Sequence, residues 1–428
     1  MSEPPPSARP SPASLPGPIS ASLHRAIIEA VDDAFESEQV PFVRRLVDQP
    51  SFTAARDDVE AAAQIVDEAA EAIELRCTRV ADPTGAHADH RIYATAATGP
   101  DTPSLALVGH VDTVFPRSTG FLSFSRDDGP AGPETGDIIR GPGVLDMKSG
   151  LSVILFAIAA LRRAAPEGAK RLPLRFLCNT DEEVGSPSSE PMFRELAPRL
   201  RAALVFEAGR ESDLIVTARK GGGMFELTVH GRAAHAGNDH AAGINAIHAL
   251  ALLIGRIEGL TDYARGVTVN VGVIEGGTSK NTVPERARCM IDTRFDTMRD
   301  AERVIGELEA IARAPFRPRD WVPHKLRAVR AELAGHMTRP PMEVSEASTA
   351  LRLRYEACAA AVGLGVGEAP RQGGGSDANL LAAFGVPSID GLGPYGKFFH
   401  QTTEWSSLTS LRRRTAALAL LLAAELDP

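Results

Sequence analysis

Apolar residues recur at helical spacing at Leu23, Ile27, Ile28, Val31 and Phe35 and again at Phe42, Leu46 and Val47, and an Ala/Glu-rich helix is expected from about Asp57 to Ile73. Strand-like runs CTRV, RIYATA and SLALVGH follow, so the opening turns from helical to alternating α/β. The last of these runs closes on a glycine and delivers His110 and Asp112 at a strand end. From Pro116 to Arg140 the chain is dense in Gly, Pro and Asp and reads as a long irregular loop, a kind that tends to be functional. Beyond it, RGPGVLDMKSG sets Asp146 on a constrained turn before an apolar helix that begins near Gly150. The strand LPLRFLCNT then runs into Glu182 and Glu183, and AALVFE ends on Glu207.

Around Arg219 the pattern changes. A glycine-rich entry leads to an alternating strand from Met224 to Val229, then to His235 between small residues. Helices from about Gly243 to Ile257 and Arg299 to Ala312, strands VTVNVGVIEGG and RARCMIDTRF, and a strand-like run near Lys325 to Val329 complete a βαββαβ-type unit. The expected division is a Pro/Ser-rich disordered tail over 1–20, a first domain over 21–218 interrupted by an inserted domain over 219–335, and its continuation over 336–428. In that continuation, helical periodicity resumes from Ser345 to Val362, GGGSDANL opens a further helix at Ser376, and a loop delivers His400 before a closing helix.

At 428 residues, with 43% hydrophobic and 24% charged content, the chain is globular and too long for one ordinary core. A net charge of −9 without a basic stretch argues against nucleic acid or an anionic membrane surface as a partner. Cys77, Cys178, Cys289 and Cys358 form no close pair and read as buried, reduced thiols of a cytoplasmic protein. Any metal must then be held by His, Asp and Glu. The first residues lack the apolar segment of a secretory signal, and no later run reads as long enough to span a bilayer.

Each chemistry-bearing residue has an ordinary reading when taken singly. His110 and Asp112 suit a hydrogen-bonded core histidine beside a solvated aspartate, or a metal ligand with its orienting carboxylate. Asp146 suits a helix cap, and Glu182 with Glu183 an acidic cap on the helix near Pro191. On extended backbone, adjacent side chains point opposite ways. One glutamate could therefore bind a metal while its neighbour faces the space above, where a general base is needed. Together, His110, Asp146, Glu183, Glu207 and His400 offer enough donors for two ions bridged by one carboxylate.

The ordered set GHVDTV, GPGVLDMKSG, NTDEEVGS, VFEAG, GRAAHAG, NTVP, GGGSDANL and the late His400 resembles the dinuclear zinc exopeptidase family. That family includes glutamate carboxypeptidases, aminoacylases, acetylornithine deacetylase and succinyl-diaminopimelate desuccinylase, and NTDEEVGS and GGGSDA look most like the glutamate carboxypeptidase branch. The likeness runs from roughly residue 40 to the C-terminus. It implies an α/β fold, in which a catalytic domain with a mixed central sheet flanked by helices carries an inserted α+β ferredoxin-like lid and dimerisation domain. It also implies two zinc ions per subunit, with cobalt or manganese as substitutes. Asp146 would bridge them, His110 and Glu207 completing one site and Glu183 and His400 the other. Asp112 would orient His110, and Glu182 would be the general base. His235 would reach the active site of the partner subunit in a homodimer. Arg294 and Asn281 would hold a substrate carboxylate, with contacts from Gly374, Gly375 and Ser376, and Lys220 is a weaker candidate.

The implied reaction is hydrolysis, by metal-activated water, of an amide bond next to a free carboxylate in a small peptide or N-acyl amino acid. Release of a C-terminal residue such as glutamate heads the expectation. An N-acyl-amino-acid deacylase or desuccinylase is the alternative within the family, and a non-catalytic metal- or peptide-binding relative the alternative from another class. The segment YGKFFHQTTEW departs from the family pattern and matches it only through His400 and the acidic Glu404.

Overall fold

A computed structural model describes residues 19–131, 136–317, 320 and 322–426. In chain order its strands are β1 (Arg76–Val80), β2 (His90–Ala94), β3 (Ser104–His110), β4 (Ser125–Ala131), β5 (Gly136–Arg140), β6 (Leu174–Asn179), β7 (Leu200–Val205), β8 (Gly221–His230), β9 (Ala234–His235), β10 (Thr268–Gly276), β11 (Thr282–Val283), β12 (Arg286–Phe295), β13 (Arg330–Arg339), β14 (Ser388–Ile389), β15 (Gly396–Lys397) and β16 (Trp405–Ser407). The chain divides into two units. The first joins the residues up to Thr217 with Val344–Pro370 and the stretch from Ser376 onward; the second is Ala218–Glu343 with Arg371–Gly375.

The main sheet of the first unit has the order β1-β2-β6-β3-β7-β14. β6, β3, β7 and β14 run parallel, and β2 and β1 add an antiparallel edge, which makes the sheet mixed. The apolar runs of β3 and β6 are buried along their whole length, as expected of parallel strands covered on both faces. The helix Ser149–Ala164 packs against Leu408–Ala424 and Ala21–Ala34 in the same core. At its start, a side chain on Gly150 would lie 2.1 Å from the Phe206 carbonyl oxygen, so glycine lets the helix close on the end of β7. Because β6, β3 and β7 are parallel neighbours, the loops after their carboxyl ends emerge along one edge.

A smaller sheet, β15-β16-β5-β4, belongs to the same unit. It corrects the reading of 116–140 as an irregular loop, since β4 and β5 pair antiparallel there. Their Gly, Pro and Asp content conceals the alternation that announces a strand. Most of the tail expected over 1–20 lies outside the described residues. Ser20 does not belong to a tail: its hydroxyl accepts the Leu23 N–H at 3.2 Å and caps the first helix. Cys77 also departs from expectation. It lies on the solvent-facing edge strand β1 and is exposed, while the other three cysteines are buried and all four are free. The run Val144–Ala164 is long and apolar enough to cross a bilayer, contrary to the expectation, and most of it is buried in the protein as a core helix.

The second unit is an antiparallel sheet of order β10-β12-β8-β13. Its β8-helix-β10-β12-helix-β13 succession gives it ferredoxin-like connectivity. Phe225, Leu227 and Val229 alternate along β8 into a core completed by Leu250, Leu253 and Ile257 from the helix Ala246–Glu258 and Val304, Leu308 and Ile311 from Met298–Arg313. The boundary expected near 335 falls inside β13, and the run at 325–329 is a tight helical turn, His324–Ala328, with the strand beginning only at Arg330. β13 was hidden by its exposed, charged face, which alternates weakly in sequence.

Candidate metal centre

The site forms in the first unit where the parallel strands end. In the ladder, His110 at the end of β3 lies opposite Asn179 of β6, and Val108 opposite Val205 of β7. The loops bearing Glu183 and Glu207 therefore start beside the histidine. Asp146 comes from the turn Val144–Lys148 between β5 and the core helix, and His400 from the loop between β15 and β16. Gly143 opens the Asp146 turn at φ +71°, and a side chain there would meet the Thr113 methyl at 2.5 Å.

The five expected ligands converge. The His110 Nε2 lies 3.3 Å from Asp146 Oδ1 and 3.7 Å from Glu207 Oε1. The His400 Nε2 lies 3.3 Å from Asp146 Oδ2 and 3.1 Å from Glu183 Oε2. Asp146 thus turns one oxygen to each histidine. Ligand atoms held tetrahedrally at ~2.0–2.2 Å from an ion stand ~3.3–3.6 Å apart, and the observed separations match that shell. Among the described residues, the buried His110 Nε2, Asp146 Oδ1 and Glu183 Oε1 have no hydrogen-bond partner. Buried polar atoms without partners are rare, and a cation would satisfy all three. Glu182 also reaches the cluster, with donor atoms of His110, Glu182 and Glu207 all within 4.8 Å of one another.

Electrostatics make the same point. Burial and the charge on Asp146 push Glu183 up to about 7 and raise Glu207 well above the usual carboxylate range. Burial alone would raise Asp146, but the His110 and His400 imidazoles beside it hold it well below that range. Asp146 and Glu183 raise His400 to about 10. A cluster so crowded with carboxylates relieves its repulsion by retaining protons, which divalent cations displace when they bind.

Asp112 is buried behind His110. The imidazole Nδ1 stands 3.0 Å from the Asp112 carbonyl oxygen and 3.3 Å from its Oδ1. The same carboxylate accepts the Thr53 hydroxyl at 2.7 Å and the backbone N–H groups of Glu182 and Glu183 at 3.3 and 3.2 Å. Thr53 is a contributor that no sequence signal singled out; it comes from a loop that precedes β1. The structure also corrects the expected backbone of the glutamate pair. Glu182–Val184 is a tight helical turn, not extended chain, and the Asp112 carboxylate braces that turn.

His235 lies on β9, exposed, and its Nδ1 accepts the N–H groups of Gly237 and Asn238 at 3.1 and 3.0 Å, which leaves the proton of a neutral ring on Nε2. The Asn281 carbonyl accepts the Ala236 N–H at 2.9 Å beside it. The Arg294 guanidinium forms a two-pronged pair with Asp292 at 3.0 and 2.9 Å. The Gly374 carbonyl accepts from Arg219 at 3.0 Å, Gly375 abuts the Arg339 side chain, and Lys220 pairs with Asp296 at 3.3 Å. All of these belong to the second unit. Ser376, in the first, is buried; its hydroxyl donates to Asp390 at 2.6 Å and accepts the Ala378 N–H, a helix-capping duty.

Residues 217–320 match the M20 peptidase dimerisation domain. Carboxypeptidase G2 of Pseudomonas sp. (strain RS-16) is 28% identical over 321 residues, 74% of this chain and 73% of that protein. Acetylornithine deacetylase of Myxococcus xanthus is 28% identical over 357 residues, covering 80% and 85%. The chain is a hydrolase that carries an M20 peptidase dimerisation domain and is similar to these enzymes. Among solved structures, the chain superposes on the YXEP protein of Bacillus subtilis, described as a dinuclear metal-binding peptidase of the M20 family, with a TM-score of 0.64 at 16% identity, covering 92% of this chain and 98% of that one. M20 hydrolases depend on metal, and the cluster around Asp146 is the metal-binding candidate among the described residues.

Proposed function

We propose that this hydrolase binds two zinc ions and cleaves an amide bond next to a free carboxylate, releasing a C-terminal residue such as glutamate. The observation that carries the proposal is the division of donor atoms, with one Asp146 oxygen facing His110 and Glu207 and the other facing His400 and Glu183. Ions held there would supply Lewis acidity and a water of lowered pKa. Glu182, beside the cluster and with its backbone braced by Asp112, takes the proton from the attacking water and returns it to the leaving amine. In the second unit, His235 presents an Nε2–H suited to a developing oxyanion in the partner subunit, and Arg294 with Asn281 offers donors to the substrate carboxylate. That assignment makes the enzyme a homodimer. A cytoplasmic location belongs to the same reading and draws on the four unpaired cysteines.

The likeness to acetylornithine deacetylase over 85% of that protein favours a second reading, an N-acyl-amino-acid deacylase using the same residues. Metal analysis of the purified protein, with rates on peptides ending in glutamate and on N-acetyl and N-succinyl amino acids, tests both. Two zinc ions per subunit and a preference for the peptides are expected. A zinc-loaded protein that cleaves none of them would overturn the hydrolase assignment.

A further inference from the structure

Glu404 is fully buried, and its carboxylate is directed at a single turn. One oxygen accepts the N–H groups of Leu145 at 2.6 Å and Asp146 at 3.0 Å, and the other accepts that of Gly143 at 3.2 Å. These are backbone amides of the segment that presents Asp146. Glu404 itself closes the loop that presents His400. That loop leaves β15 at Lys397, Gln401 N–H donates to the Phe398 carbonyl and Glu404 N–H to that of Gln401, both at 3.0 Å, and β16 begins at Trp405.

The loop also carries backbone strain. Phe398 and His400 have φ of +67° and +62°, a left-handed conformation that residues with side chains hold only when their surroundings impose it. The anchor at its end is therefore part of what keeps the His400 ring in place. Asp112 has a parallel task across the site, where its carboxylate ties the segment of His110 to the amides of Glu182 and Glu183. Two buried carboxylates, neither in the expected ligand set, thus join the ligand-bearing segments in pairs: His110 with Glu183, and Asp146 with His400.

We propose that Glu404 is a positioning residue that locks the His400 loop to the Asp146 turn. The ion shared by Asp146, Glu183 and His400 accordingly depends on it more than the ion beside His110 and Glu207 does. The inference rests on the two-ion reading above.

Stepwise zinc titration of the metal-free protein against a competing chelator, paralleled by cobalt(II) absorption spectra, tests it. Wild type is expected to take up two ions. Glu404→Gln, which sets an amide NH2 against backbone N–H groups, should bind the first ion with unchanged affinity and the second about 10–100-fold more weakly. Glu404→Asp keeps the charge but withdraws the oxygens by one carbon, and should show the same selective loss. Circular dichroism of the metal-free variants establishes that each is folded; if one is not, the other carries the comparison. Variants that bind both ions as tightly as wild type, or lose both to the same degree, overturn the proposal. Uptake of fewer than two ions by wild type overturns the two-ion reading, and this inference with it.

Discussion

Asp112 is in contact with an imidazole, a hydroxyl and two peptide N–H groups at once, and the site is organised by such multiply engaged carboxylates. Glu182 stands apart as the group assigned to move a proton. Glu182→Gln should lower kcat by about 10²–10⁴-fold while leaving zinc content unchanged, as steady-state rates and metal analysis on the same preparation would show. Asp82, in the loop between β1 and β2, illustrates a purely structural carboxylate. Burial alone would raise its pKa, but the N–H groups of His87 and Thr84, at 2.7 and 2.8 Å, and the Thr84 hydroxyl outweigh burial and hold it well below the usual aspartate range. A depressed folded pKa means the stabilisation is fully present above the ordinary value of 3.8 and is lost as pH falls from there through the folded value. Asp82→Asn should therefore melt below wild type at pH 7, with the gap narrowing steadily below about pH 4 in thermal scans. At this scale the sequence was readable wherever chemistry resides in residue type. His110, Asp146, Glu183, Glu207 and His400 could be named from strand ends and likeness. Thr53 could not, because a threonine whose hydroxyl reaches a distant aspartate leaves no periodic trace.

Elements with strong apolar patterns, such as β3, β6 and the helix Ser149–Ala164, were evident from sequence because burial on all sides requires continuous apolar residues. β4 and β5 were missed because Gly, Pro and Asp residues leave only Ile138 and Ile139, both buried, to announce a pair held by its ladder. The tight turn at Glu182–Val184 was missed because its stabilisation comes from Asp112, remote in sequence. The Asp146 turn offers a direct test of element geometry. Gly143→Ala would place a methyl 2.5 Å from the Thr113 side chain and 3.1 Å from the Asp146 carbonyl oxygen, at a φ of +71°. The change should destabilise the protein by about 1–3 kcal/mol in urea denaturation. It should weaken zinc binding as well, since the same turn carries Asp146.

Across the whole molecule, each unit has its own hydrophobic core, and the expected metal ligands all lie in the first. Chelation should therefore lower the melting temperature, because an ion held at 100 times its Kd contributes ~2.7 kcal/mol to the folded state. Hydrogen exchange should show the loss of protection concentrated in the Asp146 turn, the Glu182–Val184 turn and the β15–β16 loop, with zinc restoring it. The dimeric reading of His235 has a separate test: mixing His235→Ala with Glu182→Ala protein should recover part of the activity, and proven heterodimers without recovery would remove that role. The two-unit division was foreseen in outline from the change of pattern near Arg219, whereas the return of Arg371–Gly375 to the second unit was not, because five residues carry too little pattern to assign.

The first unit is assembled from three stretches of chain, and its expected ligands run from His110 in the first stretch to His400 in the last. A ribosome adding 5–20 residues per second needs on the order of 15–60 s to travel between them. Once Glu207 has been added, a nascent chain holds His110, Asp146, Glu183 and Glu207 but not His400. Half of the proposed ion pair has a full set of protein donors long before the other half exists. His400 is thus the last of the five expected ligands to leave the ribosome, and the proposed ion beside Glu183 has its full set of donors only after most of the chain has been made.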